Sequence, residues 1–261
     1  MNYYSIGDVH GQFFKLNQLV KRLNIKKDDI LVFLGDYIDR GDMSFEVIDL
    51  LIALSKAFNC VFIRGNHEYM FMDYLSGINE DLFIYNGGRK TIDSYKKHGY
   101  DVHQHTDYRD RHMPRSHIEF FQKLVKFYET EDFIFVHAGI HPSMGKLEIP
   151  LERLPDEILL WDRGFNYAKY NGPKVVVYGH TPNNRILNEK YKICIDTGAC
   201  FDSMGDLTAV KLPERTFIRQ GWTIGDLDGR DDNGKASKKD GEGIFTFGEN
   251  ISKPGSGGWS T

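Results

Sequence analysis

The chain has 261 residues, 41% hydrophobic and 27% charged, which suits one large domain with a sizeable core and is too short for two of ordinary size. A formal net charge of −4 at pH 7 offers no broad attraction for nucleic acid or an anionic membrane surface, so any phosphate must be caught by a local site. No apolar run approaches the ~20 residues of a membrane span, Met1 to Ile6 lacks the features of a signal peptide, and three unpaired-looking cysteines (Cys60, Cys194, Cys200) predict a cytoplasmic protein.

Tyr3 to Ile6 and Ile30 to Leu34 read as buried strands, as do Cys60 to Ile63 and Phe133 to Val136. Between the first two, Phe14, Leu16, Leu19, Val20 and Leu23 recur at helical spacing; Phe45, Val47, Ile48, Leu51, Ile52 and Leu54 do so before the third. This βαβαβ order predicts an α/β fold. Further on, Lys174 to Tyr178, Tyr191 to Ile195, Leu207 to Leu212 and Thr216 to Arg219 read as closely spaced strands, most simply a second sheet facing the first. Residues 1–224 therefore read as the catalytic domain. Residues 225–261 hold nine glycines, seven acids and five bases with little apolar content, the composition of a flexible tail.

The residues just beyond each strand carry the chemistry. The ends read Gly7-Asp8-Val9-His10-Gly11, Gly35-Asp36-Tyr37-Ile38-Asp39-Arg40-Gly41, Gly65-Asn66-His67-Glu68, His137-Ala138-Gly139 and Gly179-His180-Thr181. In α/β sheets ligands bind beyond the carboxyl ends of strands, so these clusters should meet on one rim. A single Asp-x-His-Gly is a common turn sequence, but five such clusters at five strand ends are not. Asp8, His10, Asp36, Asn66, His137 and His180 offer carboxylate, amide and imidazole donors and no thiolate, a set suited to Mn, Fe or Zn rather than Ca or Mg. Six ligands exceed one tetrahedral site, and Asp36 could bridge two ions ~3.5–4 Å apart.

At these residues the chain resembles the PPP family of serine/threonine phosphoprotein phosphatases. All three signature motifs of that family are present, over a resemblance spanning roughly residues 3 to 212. Tyr178 to Thr181, Ile195-Asp196-Thr197-Gly198-Ala199, Leu160-Trp161-Asp162-Arg163 and Asn86-Gly87-Gly88 resemble its compact bacterial and phage branch. The resemblance implies a metallophosphoesterase-type four-layer β-sandwich flanked by helices. It implies that Asp8 and His10 hold one metal, that Asp36 bridges, and that Asn66, His137 and His180 complete the second, with manganese the leading candidate. Arg40 and Arg163 match the arginines that clamp phosphate, His67 the general acid, and Asp39 the carboxylate orienting it. The implied reaction is direct attack of a metal-bridging hydroxide on phosphoserine or phosphothreonine in a protein or peptide partner, by a monomer, with phosphotyrosine a further candidate. The alternative is hydrolysis of a dinucleoside polyphosphate such as diadenosine tetraphosphate. A catalytically silent binding protein is the reading from another class, and the complete set of site residues gives it little support. Pro182 stands where nucleases and purple acid phosphatases usually carry a further histidine, which argues against a nuclease on the residues alone.

Other patterns fall away. Gly229 to Lys235 has P-loop spacing but continues with Ala236, and Asp226-x-Asp228-x-Arg230 puts a cation where an EF-hand needs a ligand. His98, His103, His105, His112 and His117 crowd a polar stretch with Arg109, Arg111 and Arg115, which reads first as a solvated loop and second as a basic flap.

Overall fold

Strand β2 (Ile30–Phe33) explains the layering, because both of its faces are buried. Leu31 and Phe33 join a core beneath the helices, whereas Val32 and the following Leu34 join a second core containing Phe135, Val177 and Ile193 from elsewhere in the chain. Side chains alternate across a strand, so an unbroken apolar run needs a partner layer on each side. The computed structural model describes residues 1–103, 112–140, 150–201 and 205–220. The expected tail at 225–261, with its near-miss motifs, lies outside the described residues, as do His105, Arg109 and Arg111.

In chain order the elements begin with β1 (Tyr3–Ile6), α1 (Phe13–Arg22), β2, α2 (Ser44–Ala57), β3 (Asn59–Phe62) and α3 (Asn66–Leu75). A short α4 (Glu80–Phe83) runs through a wide turn at Ile84–Gly88 into α5 (Arg89–Lys97), followed by α6 (Arg115–Gln122). The second half holds β4 (Phe127–Glu129), β5 (Phe133–Val136), α7 (Asp156–Trp161), β6 (Val175–Tyr178), β7 (Leu187–Asn188), β8 (Lys192–Cys194), β9 (Thr208–Leu212) and β10 (Thr216–Arg219).

Two five-stranded sheets form, ordered β10-β9-β1-β2-β3 and β4-β5-β6-β8-β7. β1, β2 and β3 run parallel in the first, as do β5, β6 and β8 in the second, with antiparallel strands at the margins. Helices cover the first sheet through Leu16, Leu19, Val47, Leu51 and Phe71. Leu151, Leu154, Leu159 and Phe165 cover the second. The result is the expected four-layer α/β sandwich. Among the described residues no helix is long and apolar enough to cross a membrane.

The expectation that the later strands form the second sheet is corrected in part. β9 pairs antiparallel onto β1 and β10 onto β9, so both extend the first sheet, while β5 belongs to the second. A strand buried on both faces carries the same residues in either sheet, so pattern alone does not choose its partner. The marginal strands β4 and β7 are too short to leave a periodic signal. Phe14 belongs to the expected apolar stripe of α1 yet is 65% exposed.

Below the second sheet, Lys192 is nearly fully buried and donates to the carbonyls of Phe165, Asn166 and Ala168 at 3.1, 3.1 and 2.7 Å. It thereby closes the turn that follows Arg163. Lys192→Met leaves three carbonyls without their donor and is expected to cost about 3 kcal/mol, read as a fall in the urea midpoint.

Candidate functional site

The carboxyl ends of β1, β2, β3, β5 and β6 deliver their five polar clusters to one rim, as expected from the strand order. Among the described residues, ligand atoms within 4.8 Å of one another occur in two buried groups there, His10–Asp36–His67 and Asp36–His137–His180. Asp36 belongs to both.

The turn carrying Asp36 is strained. Asp36, Asp39 and Arg40 have φ of 52°, 68° and 64°, a left-handed region that residues other than glycine seldom occupy. Glu68, fully buried in the first turn of α3, holds it there. Its carboxylate accepts the backbone N–H groups of Asp36 (2.8 Å), Tyr37 (2.7 Å) and Gly65 (2.9 Å). Burial and the charge of Asp36 push the Glu68 carboxyl up to about 8, against the pull of these donors. Position 65 must be glycine, since a Cβ there would run into the carboxylate and backbone of Asp36.

The imidazole tautomers follow from backbone contacts. His137 Nδ1 donates to the Leu34 carbonyl at 2.8 Å and His10 Nδ1 to that of Ile38 at 2.9 Å, so in each neutral ring Nε2 carries the lone pair. His137 Nε2 then faces Asn66 Oδ1 at 2.9 Å, His180 Nδ1 at 3.2 Å and Asp36 Oδ1 at 3.4 Å. His10 Nε2 faces Asp36 Oδ2 at 3.4 Å. Burial lowers His137, pushes His10 well below its usual range and brings His180 down to about 3, so these rings are neutral. For Asp36 burial works the other way, but the positive charge that His137, His67 and His10 carry when protonated outweighs it and draws the carboxyl below its usual value.

Lone pairs of nitrogen and oxygen thus crowd a buried space with too few protons between them. A cation resolves this, and the mixed donor set suits a first-row divalent metal. Two more buried carboxylates press the same demand. Burial holds Asp8 well above the carboxylate range, with Asp196 and Asp36 adding to the effect, and Asp196 is pushed up to about 7. Asp8 accepts the backbone N–H of His180 at 3.0 Å and lies against Gly179, so it flanks the second group.

His67 is fully buried. Its Nδ1 pairs with Asp39 Oδ2 at 2.7 Å, and its Nε2 has no hydrogen-bond partner and lies 3.9 Å from Asp36 Oδ2. Asp39 is itself gripped by Thr91 of α5, whose Oγ1 donates to Asp39 Oδ1 at 2.6 Å, while the Asp39 N–H reaches Thr91 Oγ1 at 2.9 Å and Ser44 Oγ at 3.2 Å. Arg40 Nη1 donates to His10 Nε2 at 2.9 Å. Arg163 is exposed on the turn after α7, near enough to depress the pKa of both His180 and Asp196.

All ten expected site residues therefore lie on this rim or its border. Sequence reasoning assigns no role to Thr91, Ser44 or Asp196, and Glu68 enters it only as part of a motif. The spacing of Glu68 three residues after Gly65, half of a capping box, was the available signal. In the polar histidine stretch, His117 is a core residue bonded to Tyr95 and Asp49, and His98 stacks on Phe45 with ring centroids 4.0 Å apart. Asp101, His103 and His112 form a third, more exposed group near the end of α5 opposite Thr91.

This rim is what a phosphoester-cleaving metal centre requires, and the chain belongs to the calcineurin-like phosphoesterase family, whose profile matches residues 1–206. It is 30% identical over 244 residues to the asymmetrical bis(5'-nucleosyl)-tetraphosphatase PrpE of Anoxybacillus flavithermus, covering 84% of this chain and 93% of that one. A 40% identical match to the serine/threonine-protein phosphatase 2B catalytic subunit A2 of Saccharomyces cerevisiae spans 54% of this chain and 20% of the yeast protein. A crystal structure provisionally described as a diadenosine tetraphosphatase superposes with a TM-score of 0.59 at 20% identity, covering 84% of this chain and 92% of that one, a likeness of fold.

These matches correct the expected phosphoprotein partner. The relatives that cover 82–84% of this chain and 92–93% of their own are named for a small nucleotide substrate, whereas the match to the protein phosphatase covers 54% of this chain and 20% of the yeast protein. The motifs report phosphoester chemistry common to both.

Glu68→Gln replaces one acceptor oxygen with an NH2 group facing N–H donors, and is expected to loosen Asp36. Metal affinity should fall about 10- to 100-fold, by elemental analysis after dialysis across a metal titration, with the circular dichroism spectrum kept.

Proposed function

We propose that this protein is a metal-dependent asymmetrical dinucleoside tetraphosphatase, splitting a substrate such as diadenosine tetraphosphate into a nucleoside triphosphate and a nucleoside monophosphate. The observation that carries this reading is the near full-length match to PrpE on both chains, joined to a rim whose buried donors ask for cations. The compact PPP pattern supports the same site assignment, through the pairing of Asp39 with His67 beside Asp36.

In this reading Asp8, His10 and Asp36 hold one ion, and Asp36, Asn66, His137 and His180 the other, with manganese the best fit to the donors. Bound there, the ions would supply Lewis-acid polarisation of a phosphoryl oxygen and a water of lowered pKa. Arg40 and Arg163 bind phosphoryl oxygens through their planar forks and offset charge that grows in the transition state. His67 offers its Nε2 proton to the departing oxygen, and Asp39, fixed by Thr91, stabilises the imidazolium. Residues 1–224 form the catalytic unit in this scheme, with 225–261 an appended tail.

The leaving group sets how much the acid matters. A departing nucleotide phosphate, with a second pKa of about 6, needs protonation far less than a seryl alkoxide. His67→Asn is therefore expected to lower kcat on diadenosine tetraphosphate by about 10²-fold, the low end for general acids, with bound metal unchanged.

The direct test is manganese-dependent turnover of diadenosine tetraphosphate, followed by chromatography of the products, beside a phosphoserine peptide at equal concentration. ATP and AMP in equal amounts, abolished by chelator, are expected. Two molecules of ADP would mark symmetrical cleavage, and faster release of phosphate from the peptide would overturn the substrate.

A further inference from the structure

Two exposed aromatic residues belong to segments that touch Arg40. Phe201, 40% exposed, lies with its ring centroid 5.7 Å from the Arg40 guanidinium carbon. Tyr85, 89% exposed, belongs to the wide turn at Ile84–Gly88, where the Gly87 carbonyl accepts the Arg40 N–H at 3.3 Å. A Cβ at Gly87 would stand 3.0 Å from that nitrogen, and its φ of 100° is a second reason for glycine there. The turn docks on Arg40 through Gly87, two residues after Tyr85.

The backbone that carries each ring is anchored. Lys15 of α1 donates its ammonium to the Ala199 carbonyl at 2.7 Å and the Gly205 carbonyl at 2.6 Å, fastening both ends of the turn that carries Phe201. Tyr85 borders an open hollow of about 580 Å³ with Asp81, Leu82 and Ile84. Scattered apolar side chains on a surface need no explanation. An aromatic ring against the Arg40 guanidinium and a second on a turn whose backbone binds Arg40 are a different matter, since such rings give large, flat contact at low entropic cost.

We propose that Phe201 and Tyr85 are stacking surfaces for the two nucleobases of a dinucleoside polyphosphate whose phosphate chain lies across Arg40. This rests on the substrate reading above and adds the residues that select a nucleotide over other phosphoesters. Every base has a π-face, so the platforms favour purines for their area without reading the identity of the base.

The test compares a substrate with bases against a probe without them. Phe201→Ala and Tyr85→Ala are each expected to raise KM for diadenosine tetraphosphate about tenfold, the size of one base–aromatic stack, with kcat held. The inhibition constant of inorganic tripolyphosphate, which has no base, should not change. Phe201→Tyr should keep the wild-type KM and Phe201→Leu should not, which separates stacking from bulk and from folding. Unchanged KM in both alanine variants, or a matching rise in the tripolyphosphate constant, overturns the platforms. Titration of the same proteins with ATP reads base binding independently of turnover. If the wild type fails to cleave diadenosine tetraphosphate while ATP affinity still falls in the variants, the substrate reading is lost and the platforms stand; if ATP affinity is also unchanged, both are lost.

Discussion

Everything at this site is arranged around the carboxylate of Asp36. It stands 3.4 Å from the Nε2 atoms of His10 and His137, and both of those nitrogens lack a proton because their Nδ1 partners are committed to backbone carbonyls. A carboxylate among lone pairs in a buried space is a poor arrangement for an empty protein and a good one for a protein with cations. The remainder of the strand-end turns can be understood as the scaffold that makes this arrangement persist. Glu68 pins the turn from one side, and the N–H of His67, at the start of α3, reaches Asp36 Oδ1 at 3.1 Å from the other.

Strain and burial therefore work together. Three left-handed residues between Asp36 and Arg40 each cost on the order of 1–3 kcal/mol, and a chain tolerates them only where surrounding contacts over-determine the geometry. The two sheets provide that. Their parallel strands end at the same edge, and the shared core between them, from Val32 and Leu34 to Val177 and Ile195, fixes one rim half relative to the other. Asp36 comes from the first sheet and His137 and His180 from the second, so these donors meet only because the sheets are packed face to face.

Much of this could be read in advance for a definite reason. Strands buried on both faces appear as short unbroken apolar runs, and glycine with a polar residue directly after such a run marks a turn that must approach something closely. Asp8, Asp36, Asn66, His137 and His180 were legible on that basis. Thr91 and Ser44 were not, because hydroxyls that meet Asp39 from 52 and 5 residues away carry no spacing signature of their own. The membership of β9 and β10 in the first sheet was equally hidden, since it depends on long-range pairing rather than on local pattern. The substrate was the least legible property. The residues that make the motifs recognisable perform chemistry common to phosphoproteins and nucleotides, and exposed residues that would discriminate between them follow no period.

The segment from residue 84 to residue 91 joins these two levels. Its Gly87 carbonyl holds the backbone of Arg40, and four residues later Thr91 holds Asp39, the partner of His67. One short stretch thus positions Arg40 and the Asp39–His67 pair while displaying Tyr85 to solvent. A change in this stretch would act on the same backbone that holds Arg40 and the Asp39–His67 pair in place. The exposed turn and the buried pair are consequently not independent here: a shift of the turn is felt at both Arg40 and Asp39.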